Sequence, residues 1–134
     1  MPLDVTTLSD AIARLREVLE LYERDPSNAV TRDALVHRFE FTYELAHKTL
    51  RRQLAADSAS PDQYEHMSFG DLIRSGSEQE LLLGDWPRWK QFRDMRARTS
   101  HTYDEAVALQ VVGGIADFLR DAEYLRDQLV KRQA

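Results

Sequence analysis

The chain has 134 residues, 43% hydrophobic and 31% charged, with a net charge of −5 and no cysteine. That is one domain over residues 1–134, long enough to bury a core without disulfides, and the missing cysteine excludes thiolate catalysis and cysteine-held zinc. The opening Met-Pro-Leu-Asp-Val lacks the pattern of a signal peptide and apolar runs such as Leu81–Leu83 are too short to span a bilayer, so a cytoplasmic location is expected.

Leu8, Ile12, Leu15, Leu19 and Tyr22 recur at helical spacing and predict a first helix to about Glu23, with Thr7 as its N-cap. Asp25-Pro-Ser-Asn28 is a tight turn. A second helix over 28–56 carries Leu35, Phe39, Tyr43, Ala46, Leu50 and Leu54 on one face and pairs antiparallel with the first. Asp57–Met67 is the one true loop and the best place for chain mobility. Ser68 opens a short helix ending at Gly76, and Ser77-Glu-Gln-Glu80 caps a single turn through Leu83. Pro87 suits the first position of a third main helix, which runs to about Arg98. A last helix from Tyr103 to near Lys131 bears Ala108, Val111, Ile115, Phe118, Ala122, Leu125 and Leu129 in regular three-four alternation. Within it Gly113-Gly114 is either an exposed pair or a point of close approach by another helix. No segment alternates with period two. The expected fold is all-α: an up-and-down four-helix bundle with short extra helices before the third main helix.

Charge is unevenly spread. Arg88, Lys90, Arg93, Arg96 and Arg98 surround one acid, Asp94, giving this helix +4 and leaving −9 for the rest of the chain. Such density calls for an anionic ligand, a phosphate above all, or for glutamates from neighbouring helices. Trp86, Trp89, Arg93, Arg96 and Ser100 share a side of it, an arrangement that suits bases stacked beside a phosphate clamp or tryptophans turned into the core. Arg96 and His101 are five apart, about 140° round a continuous helix, so they converge only if the helix ends between them. Thr102-Tyr-Asp-Glu105 predicts that end, as a capping box with Thr102 as N-cap of the next helix. Its free N–H groups would favour the same anion as Arg96.

Other chemistry finds less support. On the second helix His37, Glu40, Glu44 and His47 lie close together, and Glu44-x-x-His47 has metal-ligand spacing, but no second Glu-x-x-His exists for a dimetal site. Glu44 with Lys48 and Glu40 with His37 read more simply as pairs on a polar face. Phosphate loops, Gly-x-Ser-x-Gly, His-Glu-x-x-His and the paired aspartates of nucleotidyltransferases are absent from the sequence.

Arg96, then His101 after four residues, then Tyr103, resembles the signature of the HEPN superfamily and, within it, the HepT-like branch. Phe39-Glu-Phe-Thr-Tyr43-Glu44-Leu45-Ala-His47-Lys48-Thr-Leu50 is similar to the F-x-x-x-(F/Y)-E-L-x-W-K-x-L helix of nucleotidyltransferase substrate-binding proteins. Trp86 and Arg96–Glu105 match that family's W…R-N-x-x-S-H-x-Y-x-E, in the same order over most of the chain. The departures are His47, where tryptophan is usual, and Ala97, where a polar residue is usual. The resemblance implies a HepT-like toxin: a homodimeric, metal-independent ribonuclease, with both copies of the motif lining one basic cleft. In it Arg96 stabilises the phosphorane and His101 carries the proton, while Arg93, Arg98, Ser100 and Trp89 bind RNA. No metal or other cofactor is called for. The implied protein partner is a minimal nucleotidyltransferase, the antitoxin, which adds AMP to Tyr103. The alternative is a non-catalytic subunit presenting substrate, or itself, to that transferase. Ala97 and the acidity of the chain fit this alternative; the intact Arg96, His101 and Tyr103 fit the nuclease.

Overall fold

The computed structural model describes residues Leu3 to Gln133. Helices α1 (Thr6–Arg24) and α2 (Ala29–Ala56) form the antiparallel pair expected from their apolar stripes. Short helices α3 (Asp62–Glu65) and α4 (Phe69–Glu78) precede the basic helix α5 (Trp86–Arg98). A 3₁₀ turn (Thr99–His101) leads to α6 (Glu105–Gly113) and α7 (Ile115–Gln133). No strand occurs among the described residues, and none of their helices is long and apolar enough to cross a membrane. The bundle is all-α, with α1, α2, α5 and the α6–α7 segment as its main members.

The predicted stripes are the core: each apolar position named on the first, second and last helices is buried. Phe118 sits at its centre, meeting Phe39, Phe92 and Trp89 edge-on at 5.0, 5.3 and 6.1 Å between ring centroids. Edge-to-face packing of this kind adds to area burial because each ring's positive rim meets the next ring's negative face. One charged pair joins the same helices. The Asp121 carboxylate on α7 is fully buried, and both its oxygens accept from Arg88 Nε on α5, at 2.9 and 2.8 Å. Burial pushes the Asp121 carboxyl upward and the hydrogen bond from Arg88 pulls it back.

Several boundaries differ from the sequence reading, each for a local reason. Helix α1 begins at Thr6 rather than after Thr7, because Asp4 Oδ1 accepts the Thr6 N–H at 2.9 Å. Segment 57–67 is tied down rather than loose. It contains α3 and the buried Tyr64, whose hydroxyl meets Ser75 Oγ at 2.9 Å, while Arg51 donates to the carbonyls of Tyr64 and Met67. His47, in the usual tryptophan position, packs edge-on against Phe69 at 4.8 Å and accepts from Arg51 through Nε2 at 3.1 Å. Burial lowers its basicity, so it stands as a neutral aromatic filler.

Helix α4 runs through Gly76 to Glu78, and no separate turn forms at Ser77–Leu83. It ends in a Schellman arrangement: Leu81 N–H reaches Gly76 O at 2.9 Å and Glu80 N–H reaches Ser77 O at 3.1 Å. Glu80 takes the left-handed conformation this requires, at φ 62°. The last helix is divided rather than continuous. Gly114 has φ −98° and ψ −6°, and a Cβ there would lie 2.5 Å from Met95 Sδ, while a Cβ on Gly113 would meet nothing within 4 Å. One glycine is therefore the exposed member of the pair and the other the point of close approach.

Two stability predictions follow from these turns, both read by urea unfolding. Gly114→Ala destabilises by about 2 kcal/mol through overpacking against Met95, whereas Gly113→Ala is neutral or stabilising by up to about 1 kcal/mol. Equal effects at the two positions would contradict the packing. Glu80→Gly stabilises by roughly 1 kcal/mol, the cost of holding a side chain in the left-handed region; a loss of stability would show that the glutamate side chain contributes more than its backbone costs.

Candidate active site at the Arg96–Tyr103 motif

Helix α5 turns Trp89, Phe92 and Met95 inward, which leaves Arg96 at the margin facing α2 and Arg93 exposed. Trp89 is only 1% exposed, in the aromatic centre of the core. The proposed stacking of a base on it is corrected accordingly: this ring is not available to a ligand. The half-buried Trp86 is the outer aromatic, with the Arg93 and Arg74 guanidinium carbons 5.1 and 5.8 Å from its ring centre.

The basic segment divides by function of place. Arg88 is committed to Asp121. Arg98, exposed, donates to Gln110 Oε1 at 3.3 Å, and the exposed Ser100 hydroxyl donates to the Ala97 carbonyl at 3.2 Å. Arg96 is held more firmly. Its Nε donates to Glu44 Oε1 at 3.2 Å, its Nη1 donates to Thr99 Oγ1 at 3.0 Å, and Glu40 Oε2 stands 3.7 Å from Nη1. Thr99, itself buried, returns a hydrogen bond to the Arg96 carbonyl at 2.6 Å. The glutamates turn to Arg96 and not to Lys48 or His37, because α5 brings a guanidinium within reach of both carboxylates at once. Arg96 Nη2 has no partner among the described residues. Arg96 also lines a groove of about 340 Å³ along α2, with His37, Glu40, Phe41, Glu44, Leu45 and Lys48; His101 and Tyr103 are not among its lining residues.

The helix does end between Arg96 and His101, but not through the expected capping box. Thr102 stays in the helical region and donates from Oγ1 to the Thr99 carbonyl at 3.1 Å. Asp104 is the N-cap of α6, accepting from Ala106 N at 2.9 Å. Two side chains compete to begin this helix, and the aspartate closer to the apolar stripe prevails. The consequence is chemical. A carboxylate already occupies the α6 N-terminus, and Glu105 lies in its first turn and pairs with Arg32 at 3.5 Å, so the terminus does not supply the open anion site expected there. His101 ends the 3₁₀ turn with an exposed imidazole. Tyr103 is 86% exposed, and its ring lies 6.1 Å from that of His101.

Glu40, Glu44, Thr99 and Arg32 complete this neighbourhood. The repulsion within the basic segment signalled that glutamates of another helix could answer it; which ones, and the part of Thr99 and Arg32, carried no sequence signal. Among the described residues no cluster of three or more histidine and acidic side chains is placed to hold a metal ion.

The sequence profile of a family described as nucleotidyltransferase substrate binding protein like matches residues 3–131. A Haemophilus influenzae protein described as a probable ribonuclease HepT is 35% identical over 138 residues, covering 97% of this chain and 94% of that relative. A solved Haemophilus influenzae structure, described as the fold of a substrate binding domain of a nucleotidyltransferase, superposes with a TM-score of 0.87 at 31% identity, over 94% of this chain and 98% of that one. With agreement nearly end to end in sequence and in fold, the chain belongs to the HepT-like family of nucleotidyltransferase substrate-binding proteins.

Proposed function

We propose that the protein is a HepT-like toxin, a metal-independent endoribonuclease silenced when a minimal nucleotidyltransferase adds AMP to Tyr103. The observation that carries this reading is the partly buried Arg96 followed by the exposed His101 and Tyr103. Arg96 lines a groove and keeps Nη2 free of hydrogen bonds among the described residues, His101 offers its imidazole from a surface turn, and Tyr103 stands in solvent where packing does not require it. The likeness to a probable ribonuclease HepT supports it.

In the proposed reaction the RNA 2′-hydroxyl attacks the adjacent phosphorus and its proton passes to an imidazole. The P–O5′ bond breaks, the leaving 5′-oxygen is protonated, and a 2′,3′-cyclic phosphate remains. Arg96 stabilises the charge on the five-coordinate phosphorus through its planar fork. One His101 supplies one proton carrier, and a second copy of the chain supplies the other, which is the reason for proposing a homodimer with facing motifs. Arg93, Arg98 and Ser100 lie on the exposed flank of α5 and the turn after it, suited to hold the RNA backbone on either side.

A second reading has its own observation. Arg96 is already matched by Glu40 and Glu44, and Ala97 offers no polar group next to it, as a non-catalytic subunit that presents substrate or itself to the transferase would allow. The two readings part in a single assay. As a nuclease, the purified protein cuts RNA in EDTA, and Arg96→Ala and His101→Ala each lower the rate by about 100-fold or more with helix content unchanged. Cutting that needs a divalent metal, or that survives loss of His101, would refute the mechanism; no cutting by the wild type selects the subunit reading.

Modification has a separate test. The Tyr103 phenol oxygen attacks the α-phosphorus of ATP, pyrophosphate leaves, and the protein carries a phosphodiester anion beside His101. With the transferase, ATP and Mg²⁺, intact-mass spectrometry should show added AMP that maps to Tyr103. Tyr103→Phe stays unmodified, keeps its cutting activity and remains toxic to cells that express the transferase. Silencing of the Tyr103→Phe protein by the transferase would place the modification elsewhere.

A further inference from the structure

We propose that Glu44 is a positioning residue, gripping the Arg96 guanidinium by Nε so that its Nη edge faces the phosphodiester. The inference deepens the ribonuclease reading and rests on it. A free arginine side chain samples many rotamers, and a transition-state contact gains little if that freedom must be lost during the reaction. Here the freedom is already removed. Glu44 takes the Nε–H, the Thr99 hydroxyl takes one Nη1–H, and Nη2 has no partner among the described residues.

The contact joins residues 52 apart in sequence, so helix packing and not a local turn sets it. Glu40 plays a different part. At 3.7 Å from Nη1 it is beyond hydrogen-bond distance and acts through charge alone. Two carboxylates one helical turn apart repel each other, and an arginine between them relieves that repulsion. An exposed ion pair is worth little to stability. Arg96 is 34% exposed and Glu44 44%, so removing Glu44 leaves the core intact and changes chiefly where the guanidinium points. Glutamine at this position keeps an acceptor oxygen for Nε–H and loses only the charge; alanine loses both.

The test uses the full chain as wild type, Glu44→Gln and Glu44→Ala, each checked for unchanged helix content. NMR of arginine-labelled protein reads solvent exchange of the Arg96 Nε–H. A cleavage assay on single-stranded RNA in EDTA reads kcat and KM. In Glu44→Ala the Nε–H exchanges at least about tenfold faster, and kcat falls about 100-fold while KM changes by less than about threefold. Glu44→Gln retains slow exchange and recovers kcat to within about fivefold of the wild type. Wild-type exchange and kcat in Glu44→Ala would overturn the proposal, and so would equal damage in Glu44→Gln, which would assign a role of charge alone. If the wild type cuts nothing, the nuclease reading falls by itself. The positioning claim is then decided by titrating a 2′-deoxy oligonucleotide, which should shift the Arg96 signals in wild type and Glu44→Gln but not in Glu44→Ala; the same shift in all three would overturn it.

Discussion

The orientation of α5 is the constraint on which the site depends, and the aromatic junction at Phe118 sets it. Trp89 and Phe92 reach the core one turn apart and meet Phe118, which also receives Phe39 from α2. With those faces fixed, helical geometry leaves Arg96 no direction but the α2 margin, where Glu40 and Glu44 stand a turn apart. The Arg88–Asp121 pair adds an angular lock near the other end of α5. Chemistry at the surface is thus oriented by apolar contacts that no ligand touches.

The acidic balance of the chain acquires a physical sense from this arrangement. Part of the dense positive charge of α5 is answered within the fold, while Lys90, Arg93 and Arg98 stay exposed. Arg88 is neutralised by a buried carboxylate, Arg96 by two half-exposed ones, and Arg93 rests over an indole face. What remains for a partner is the exposed set Lys90, Arg93 and Arg98, with the unbonded edge of Arg96 and the turn to His101 beside it.

Most of the helices were legible because their apolar residues repeat every three or four positions, and Ser68 caps the short helix it was expected to open. The failures lie where two local signals compete. Thr102 and Asp104 both suit an N-cap. Ser77-Glu-Gln-Glu80 has the letters of a helix start yet closes the helix before it, because Glu80 bends left-handed to bury Leu81. The break at Gly114 was hidden because the stripe continues across it, Val111 to Ile115, as though nothing had happened. The motif residues Arg96, His101 and Tyr103 were visible as spacing. The neighbours that orient Arg96 were not, since ion pairs between helices leave no periodic trace in sequence. Trp89 shows the limit plainly: indole beside arginine describes a ligand platform and a core residue equally well, and only the rotation of α5 separates them.

Gly84 ties three positions into a shared history. A Cβ at Gly84 would stand 2.5 Å from Arg88 Cδ and 2.8 Å from Asp121 Oδ2. Position 84 must stay bare while the pair exists, and losing Arg88 alone would strand the buried carboxylate at a cost of roughly 3 kcal/mol or more, whereas Arg88, 32% exposed and 4.0 Å from Asp117, keeps another acid beside it if Asp121 is lost. A lineage drifting away from this arrangement therefore releases Asp121 before Arg88 or together with it, and only afterwards can a side chain return at 84. The order of those steps is fixed by geometry, and a descendant carrying alanine at 84 would be expected to record, at the other two positions, that the earlier steps had already been taken.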